Sequence, residues 1–170
     1  SSACQDDGSC IGIGSAYQGG IIFWLDGNGG GLIAAPSDQS SGAEWGCAGT
    51  NITGANGLVI GTGSQNTLDI INAGCTSING SPTAANICAN LTLGGYSDWF
   101  LPSKDELLEM YIFNGYGGVL GLASYYWSSS SGTSNLVQAL SVSFDVCDNT
   151  LSYSNISRYR QIKVRAVRAF

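Results

Sequence analysis

Hydrophobic positions along the chain come in short runs separated by glycine, serine and asparagine, and the firmest pattern spans residues 98–111 (DWFLPSKDELLEMY). Pro102 ends an extended segment carrying Trp99 and Leu101, because the residue before a proline is pushed out of the helical region. Ser103 fits as an N-cap, and Glu106 three residues later completes a capping box. Asp105 and Glu106 place negative charge in the first helical turn, where the helix dipole favours it. Leu107, Leu108, Met110 and Tyr111 recur at helical spacing, and Asn114-Gly115 supplies the stop. The pattern predicts a strand that runs straight into a capped helix.

Other runs are shorter. Residues 17–25 (YQGGIIFWL) and 31–35 (GLIAA) flank a glycine-rich turn at 26–30 and predict a β-hairpin. Asp26 and Asn28 share the opening spacing of a calcium loop, but the downstream glutamate is missing, so the stretch reads as a plain turn. Helical spacing predicts a helix over 66–73, capped by Asn66 or Thr67, and a second short helix over 84–90 carrying Cys88. Strands are predicted at 125–129, at 135–146 with period-two alternation, at 151–156, and at 163–170 (KVRAVRAF), the last beside the first strand. Residues 1–14 stand apart as an N-terminal extension, polar and acidic up to Cys10 and then strand-like through Ile11, Gly12 and Ile13.

Composition narrows the class. A chain of 170 residues is one domain with room for a sizeable core. Charged residues make up 11%, against roughly 25% in an average globular protein. Glycine is abundant, at 25 residues, which favours turns and loops between strands. With the helices above, the fold class is α+β. The first 103 residues hold seven acidic side chains and no basic one. Arg158, Arg160, Lys163, Arg165 and Arg168 crowd the end, where they are expected to neutralise acidic neighbours within the fold. The alternative is two surfaces of opposite sign, suited to head-to-tail contact. So acidic a chain is a poor nucleic-acid binder. No apolar run reaches the roughly 20 residues of a membrane span, so no membrane insertion is expected. The chain begins at Ser1 and reads as a mature secreted protein.

Six cysteines, Cys4, Cys10, Cys47, Cys75, Cys88 and Cys147, occur without any histidine or CxxC pair. That excludes the usual zinc arrangements and points to disulfides in an oxidising compartment. The expected bridges are Cys4–Cys10 and Cys75–Cys88, both local, and Cys47–Cys147. The last closes the longest loop and would contribute on the order of 4 kcal/mol in the chain-entropy treatment.

Candidate chemistry is sparse. Serines lack a histidine base and no Ser-x-x-Lys motif occurs. Asp105, Glu106 and Glu109 form the densest acidic group, yet helix-start electrostatics explain them. The GTGSQNT stretch at 61–67 lacks a phosphate-reaching lysine. No catalytic residue, metal site or cofactor is assigned. Aromatic side chains are better candidates, since they stack on sugar rings. Trp99 and Trp127 are expected in the core. Tyr153 and Tyr159, with Asn149, Asn155, Arg158 and Arg160, form the candidate ligand-binding face.

Residues 98–107 (DWFLPSKDEL), 126–129 (YWSS), the strand from Ala139 to Phe144, 163–170 and the opening hairpin at 19–36 together resemble the DUF1566 family, over about residues 15–170. The resemblance implies a secreted or surface-exposed bacterial domain with a C-type-lectin-like fold: a twisted antiparallel sheet, two or three short helices and long loops. It also implies adhesive roles, in some members through sulfated polysaccharides. The residues that differ most from the family are 1–14 and 130–160. The resulting expectation is a filament subunit that self-associates into a homopolymer through Cys10, Ile11, Gly12 and Ile13. The alternative is a carbohydrate-binding adhesin domain with glycans as partners.

Overall fold

The computed structural model of the chain describes residues 2–4, 10–50, 52–132, 138–145 and 150–170, with the backbone alone described at 2–4, 10, 138–145 and 150–153. The chain opens with β1 (Ser2–Cys4), β2 (Cys10–Gly12), β3 (Ala16–Tyr17), β4 (Gly20–Leu25), β5 (Gly31–Ala34) and β6 (Ser40–Ala43). Helices α1 (Gly63–Asn72), α2 (Ala84–Ala89) and α3 (Lys104–Gly115) follow. Strands β7 (Ser124–Ser131), β8 (Gln138–Asp145), β9 (Thr150–Ser157), β10 (Ile162–Val164) and β11 (Val167–Ala169) complete the fold. β1 and β2 form a two-stranded sheet of their own. A four-stranded sheet has the order β11-β5-β4-β3, and a five-stranded sheet the order β6-β10-β7-β8-β9. Pairing is antiparallel except between β10 and β7. The architecture is α+β, as the sequence pattern predicts.

Successive residues of the central strands enter opposite apolar clusters, as period-two alternation requires. Ile22, Ile33, Trp99 and Trp127 join Trp45, Leu101 and Val164 in one cluster. Their neighbours Phe23, Leu32, Phe100 and Tyr126 join Leu107, Met110 and Tyr111 of α3 in the other. Trp99 and Trp127 are therefore core anchors, 2% and 0% exposed.

Three sequence expectations need correction. Residues 17–25 are two strands, because Gln18 and Gly19 turn the chain at φ of 47° and 88°. Gly19 suits that turn, since a Cβ there would lie 2.6 Å from the Cα of Gly94. Residues 163–170 are also two strands, in different sheets. The break falls at Arg165, whose buried guanidinium turns inward to the carbonyls of Ala35 and Leu120 at 3.0 and 3.1 Å. β11 lies beside β5, the second strand of the hairpin, and not beside the first.

The disulfide pattern differs too. Cys47 bonds Cys75, and Cys88 is a buried free thiol. This overturns both Cys75–Cys88 and Cys47–Cys147. Gly46 and Cys47 adopt φ of 94° and 51°, so the chain turns at Cys47, whose Cα lies 4.6 Å from that of Cys75. Cys88 faces the first apolar cluster, and burial pushes its thiol pKa well up. The expected Cys4–Cys10 bridge and Cys147 lie outside the described side chains and residues. The backbone register does set Cys4 opposite Cys10.

α3 begins as expected. The Ser103 hydroxyl accepts from the Glu106 amide at 3.3 Å, and Glu106 Oε2 accepts from the Ser103 amide at 2.7 Å. Glu106 does more than cap its own helix. Its Oε1 accepts from the amides of Gly61 and Gly63 at 2.7 and 3.3 Å, so one fully buried carboxylate caps α3 and tethers the start of α1.

Candidate functional site

The basic residues near the end of the chain are built mostly into ion pairs. Arg165 donates to Asp38 Oδ1 through Nε at 2.9 Å and Nη2 at 2.6 Å, and the Tyr126 hydroxyl donates to the same oxygen at 2.9 Å. Lys163 Nζ lies 3.4 Å from Asp38 Oδ2. Burial opposes ionisation of Asp38, but the Arg165 and Tyr126 hydrogen bonds and the two cations outweigh it and hold its carboxyl below the usual range. Arg168 pairs with Asp98 and stacks 3.8 Å from the centroid of the Tyr96 ring. These contacts are the internal neutralisation expected from the charge pattern.

Beside this network an open cleft of about 570 Å³ crosses the five-stranded sheet. β7 contributes Tyr125, β9 contributes Asn155 and Ser157, the turn before β10 contributes Arg160 and Gln161, and β10 contributes Lys163. Tyr125 is 42% exposed, although Trp127 two residues on is fully buried on the same face. β7 thus leaves the covered part of the sheet at its N-terminal end. The Gln161 amide also reaches Glu44 Oε1 at 3.4 Å. Among the described residues the cleft offers one aromatic ring, two amides, hydroxyls and two cations. That set can stack on and hydrogen-bond a hydroxyl-rich ligand.

The candidate ligand residues divide. Asn155 and Arg160 line the cleft, and Tyr159 is 45% exposed on the adjoining turn. Arg158 must be withdrawn as a surface ligand. It is 3% exposed, stacks 4.3 Å from the Trp45 ring centroid, and donates through Nη1 to the Cys47 and Thr50 carbonyls at 3.0 and 3.1 Å. Its place in a run of polar residues hid this role, because its partners are more than a hundred positions away. Asn149 and the Tyr153 side chain lie outside the described residues. Tyr125 is among the aromatic side chains the sequence marks as able to stack on sugar rings, but neither it nor Gln161 nor Lys163 belongs to the expected ligand-binding face. Alternation along residues 124–131 could have shown Tyr125 sharing a face with Trp127, but not that this face is open at one end.

The candidate assembly segment forms β2, which pairs with β1. Ile11 packs partly buried against the first apolar cluster, so the extension is anchored on its own domain. Ile13 beside it is 49% exposed. At the hairpin turn, Asp26 Oδ1 accepts from the amides of Asn28 and Gly30 at 2.7 and 3.0 Å, the geometry of an Asx turn. Among the described residues no group of three or more His, Cys, Asp or Glu side chains could hold a metal ion. No helix among them is long and apolar enough to cross a membrane. No protein-family model matches the chain, and no curated protein matches it, so the DUF1566 resemblance rests on the motifs themselves.

Proposed function

We propose that the chain is a secreted bacterial structural protein of DUF1566 type, with a C-type-lectin-like fold, that polymerises head to tail into an extracellular or cell-surface filament. The observation that carries this reading is β2, a strand outside both large sheets, with the apolar side chain of Ile13 half-exposed next to it. A strand presented this way can add to the sheet edge of a neighbour. A heterologous contact of that kind, if it does not close, propagates as a fibre. The Cys47–Cys75 disulfide fits an oxidising compartment. The reading assigns no catalytic activity. Its test compares the chain with a variant lacking residues 1–14 by sedimentation and negative-stain microscopy. Fibres from the intact chain and none from the shortened one are expected. Fibres from both, or from neither, overturn the proposal.

The cleft favours a second reading, a carbohydrate-binding adhesin domain. A glycan array probed with the intact chain and with Tyr125→Ala and Asn155→Ala variants tests it. Binding lost in both variants supports the reading, and binding absent or unchanged removes it. Adhesive filaments would satisfy both readings.

A further inference from the structure

We propose that the outer edge of β9 is the acceptor onto which β2 of a second copy adds as a sixth strand, an inference that rests on the assembly reading above. The argument comes from comparing the sheet edges. β11, at one end of the four-stranded sheet, is already covered, because Phe100 and Val167 exchange backbone hydrogen bonds of 2.9 and 3.0 Å on its far side. β3, at the other end, is two residues long. β6 is four residues long, and its pairing with β10 slips in register between Ile162 and Val164. β9 differs from all three. Its eight residues pair with β8 in unbroken register from Ser157 opposite Gln138 to Thr150 opposite Asp145. Among the described residues no strand lies on its other side. In an antiparallel ladder alternate residues turn their N–H and C=O groups away from the partner, so about half of those on β9 face outward.

Exposed edges are normally guarded by lysine, proline, bulges or brevity. β9 (TLSYSNIS) has no charged residue and no proline, and its register shows no bulge. Among the described residues nothing guards this edge, and an edge of this length is a template for strand addition.

A second copy fits as the occupant on two counts. β2 has an extended backbone, and among the described residues no strand other than β1 pairs with it, although the Gly12 carbonyl also accepts from the Ser15 amide at 3.0 Å. The charges also match. The extension carries Asp6 and Asp7 and no basic residue, whereas exposed Arg160 and part-exposed Lys163 stand in the cleft at the Ser157 end of β9. Electrostatic attraction of this kind sets register and speeds encounter.

Hydrogen exchange on the full-length chain, from dilute solution to assembled material, tests the proposal. On assembly the outward-facing amides in the part of residues 150–157 that the three-residue β2 covers, and those of residues 10–13, are expected to slow together, by about tenfold or more. Arg160→Glu is expected to leave the melting temperature unchanged and weaken assembly about tenfold, and Asp6→Arg with Asp7→Arg to restore it. Assemblies in which residues 150–157 exchange as in dilute solution overturn the β9 acceptor and leave the assembly reading standing. Protection of 150–157 without 10–13 points to symmetric β9–β9 pairing, or to a strand from elsewhere, and also overturns it. A chain that stays monomeric at every concentration removes both readings.

Discussion

Removing the buried Glu106 carboxylate is expected to cost more stability than removing any other polar side chain of α3 or its caps. The side chain is fully buried and accepts three backbone hydrogen bonds, from Gly61, Gly63 and Ser103. Glu106→Ala strands all three amides. An unsatisfied buried group costs about 1–3 kcal/mol, and water entering the vacated space recovers part of that, so the expected loss is about 4 kcal/mol. Glu106→Gln keeps an oxygen for the Gly61 and Gly63 amides but turns an NH2 group toward the Ser103 amide. One bond then becomes a donor facing a donor, for a loss of about 2 kcal/mol. Urea unfolding followed by tryptophan emission suits the measurement, because Trp45, Trp99 and Trp127 are at most 2% exposed. With a slope of about 2 kcal/mol per molar urea, the alanine variant should unfold about 2 M earlier.

The same pair of proteins carries a pH signature. Burial is the largest influence on Glu106 and raises its pKa, while the Ser103, Gly61 and Gly63 amides pull it down without cancelling the rise. A carboxyl whose folded pKa lies above its unfolded one contributes stability below the ordinary glutamate value, and loses it as pH rises through the folded pKa. The glutamine variant lacks that titration. The advantage of the native protein over Glu106→Gln should therefore narrow from acid toward neutral pH. An alanine variant within about 1 kcal/mol of the native protein, or a glutamine variant whose deficit grows with pH, would refute the reasoning.

Asp38→Asn removes the carboxylate that faces Arg165, whose side chain is 3% exposed, and should cost about 3 kcal/mol. Because the Asp38 pKa is lowered in the fold, its contribution is present above the ordinary aspartate range and lost as pH falls through the folded value. Acid unfolding of the native protein should show this extra limb, and the asparagine variant should lack it. Cys75→Ser opens a loop with a sequence separation of 28 and is expected to cost roughly 3.5 kcal/mol in the chain-entropy treatment. Peptide mapping without reduction should recover the Cys47–Cys75 link, with Cys88 alkylated only after unfolding. A Cys75–Cys88 peptide would contradict the structure.

The local signals in the sequence read well, and the long-range ones did not. Ser103, Glu106 and the apolar spacing after them place α3 within a residue of its observed start, and α2 starts at Ala84 as the spacing predicts, capped by Thr83. α1 starts at Gly63, three residues before the start that the cap-like Asn66 and Thr67 predict. In the fold they are buried inside the helix, where Asn66 Oδ1 accepts from the Gly57 amide at 3.1 Å and Thr67 Oγ1 from the Leu101 amide at 3.0 Å. The amides at the true start are satisfied by Glu106, more than forty positions away, which no local pattern can show. The cleft was half legible for the same reason. Asn155 and Arg160 belong to one loop region, but Tyr125 and Lys163 reach the cleft only through sheet pairing. The disulfide pattern has this origin as well, since Cys75 meets Cys47, 28 positions away in sequence, where the chain turns at Gly46 and Cys47.

The pairing of β11 has a consequence for how the molecule comes into being. Arg168 pairs with Ile33, 135 positions earlier, and contacts of such sequence separation form slowly. Until residues 167–169 have been made and have found β5, that strand keeps an open apolar edge, in a chain that also carries the short strand β2 at its other end. Synthesis therefore passes through a stage in which a free strand and a free edge coexist within one molecule. Pairing between them would be a misfold that the late arrival of β11 must undo or forestall, so the rate of closure at β11 is expected to govern the yield of native protein.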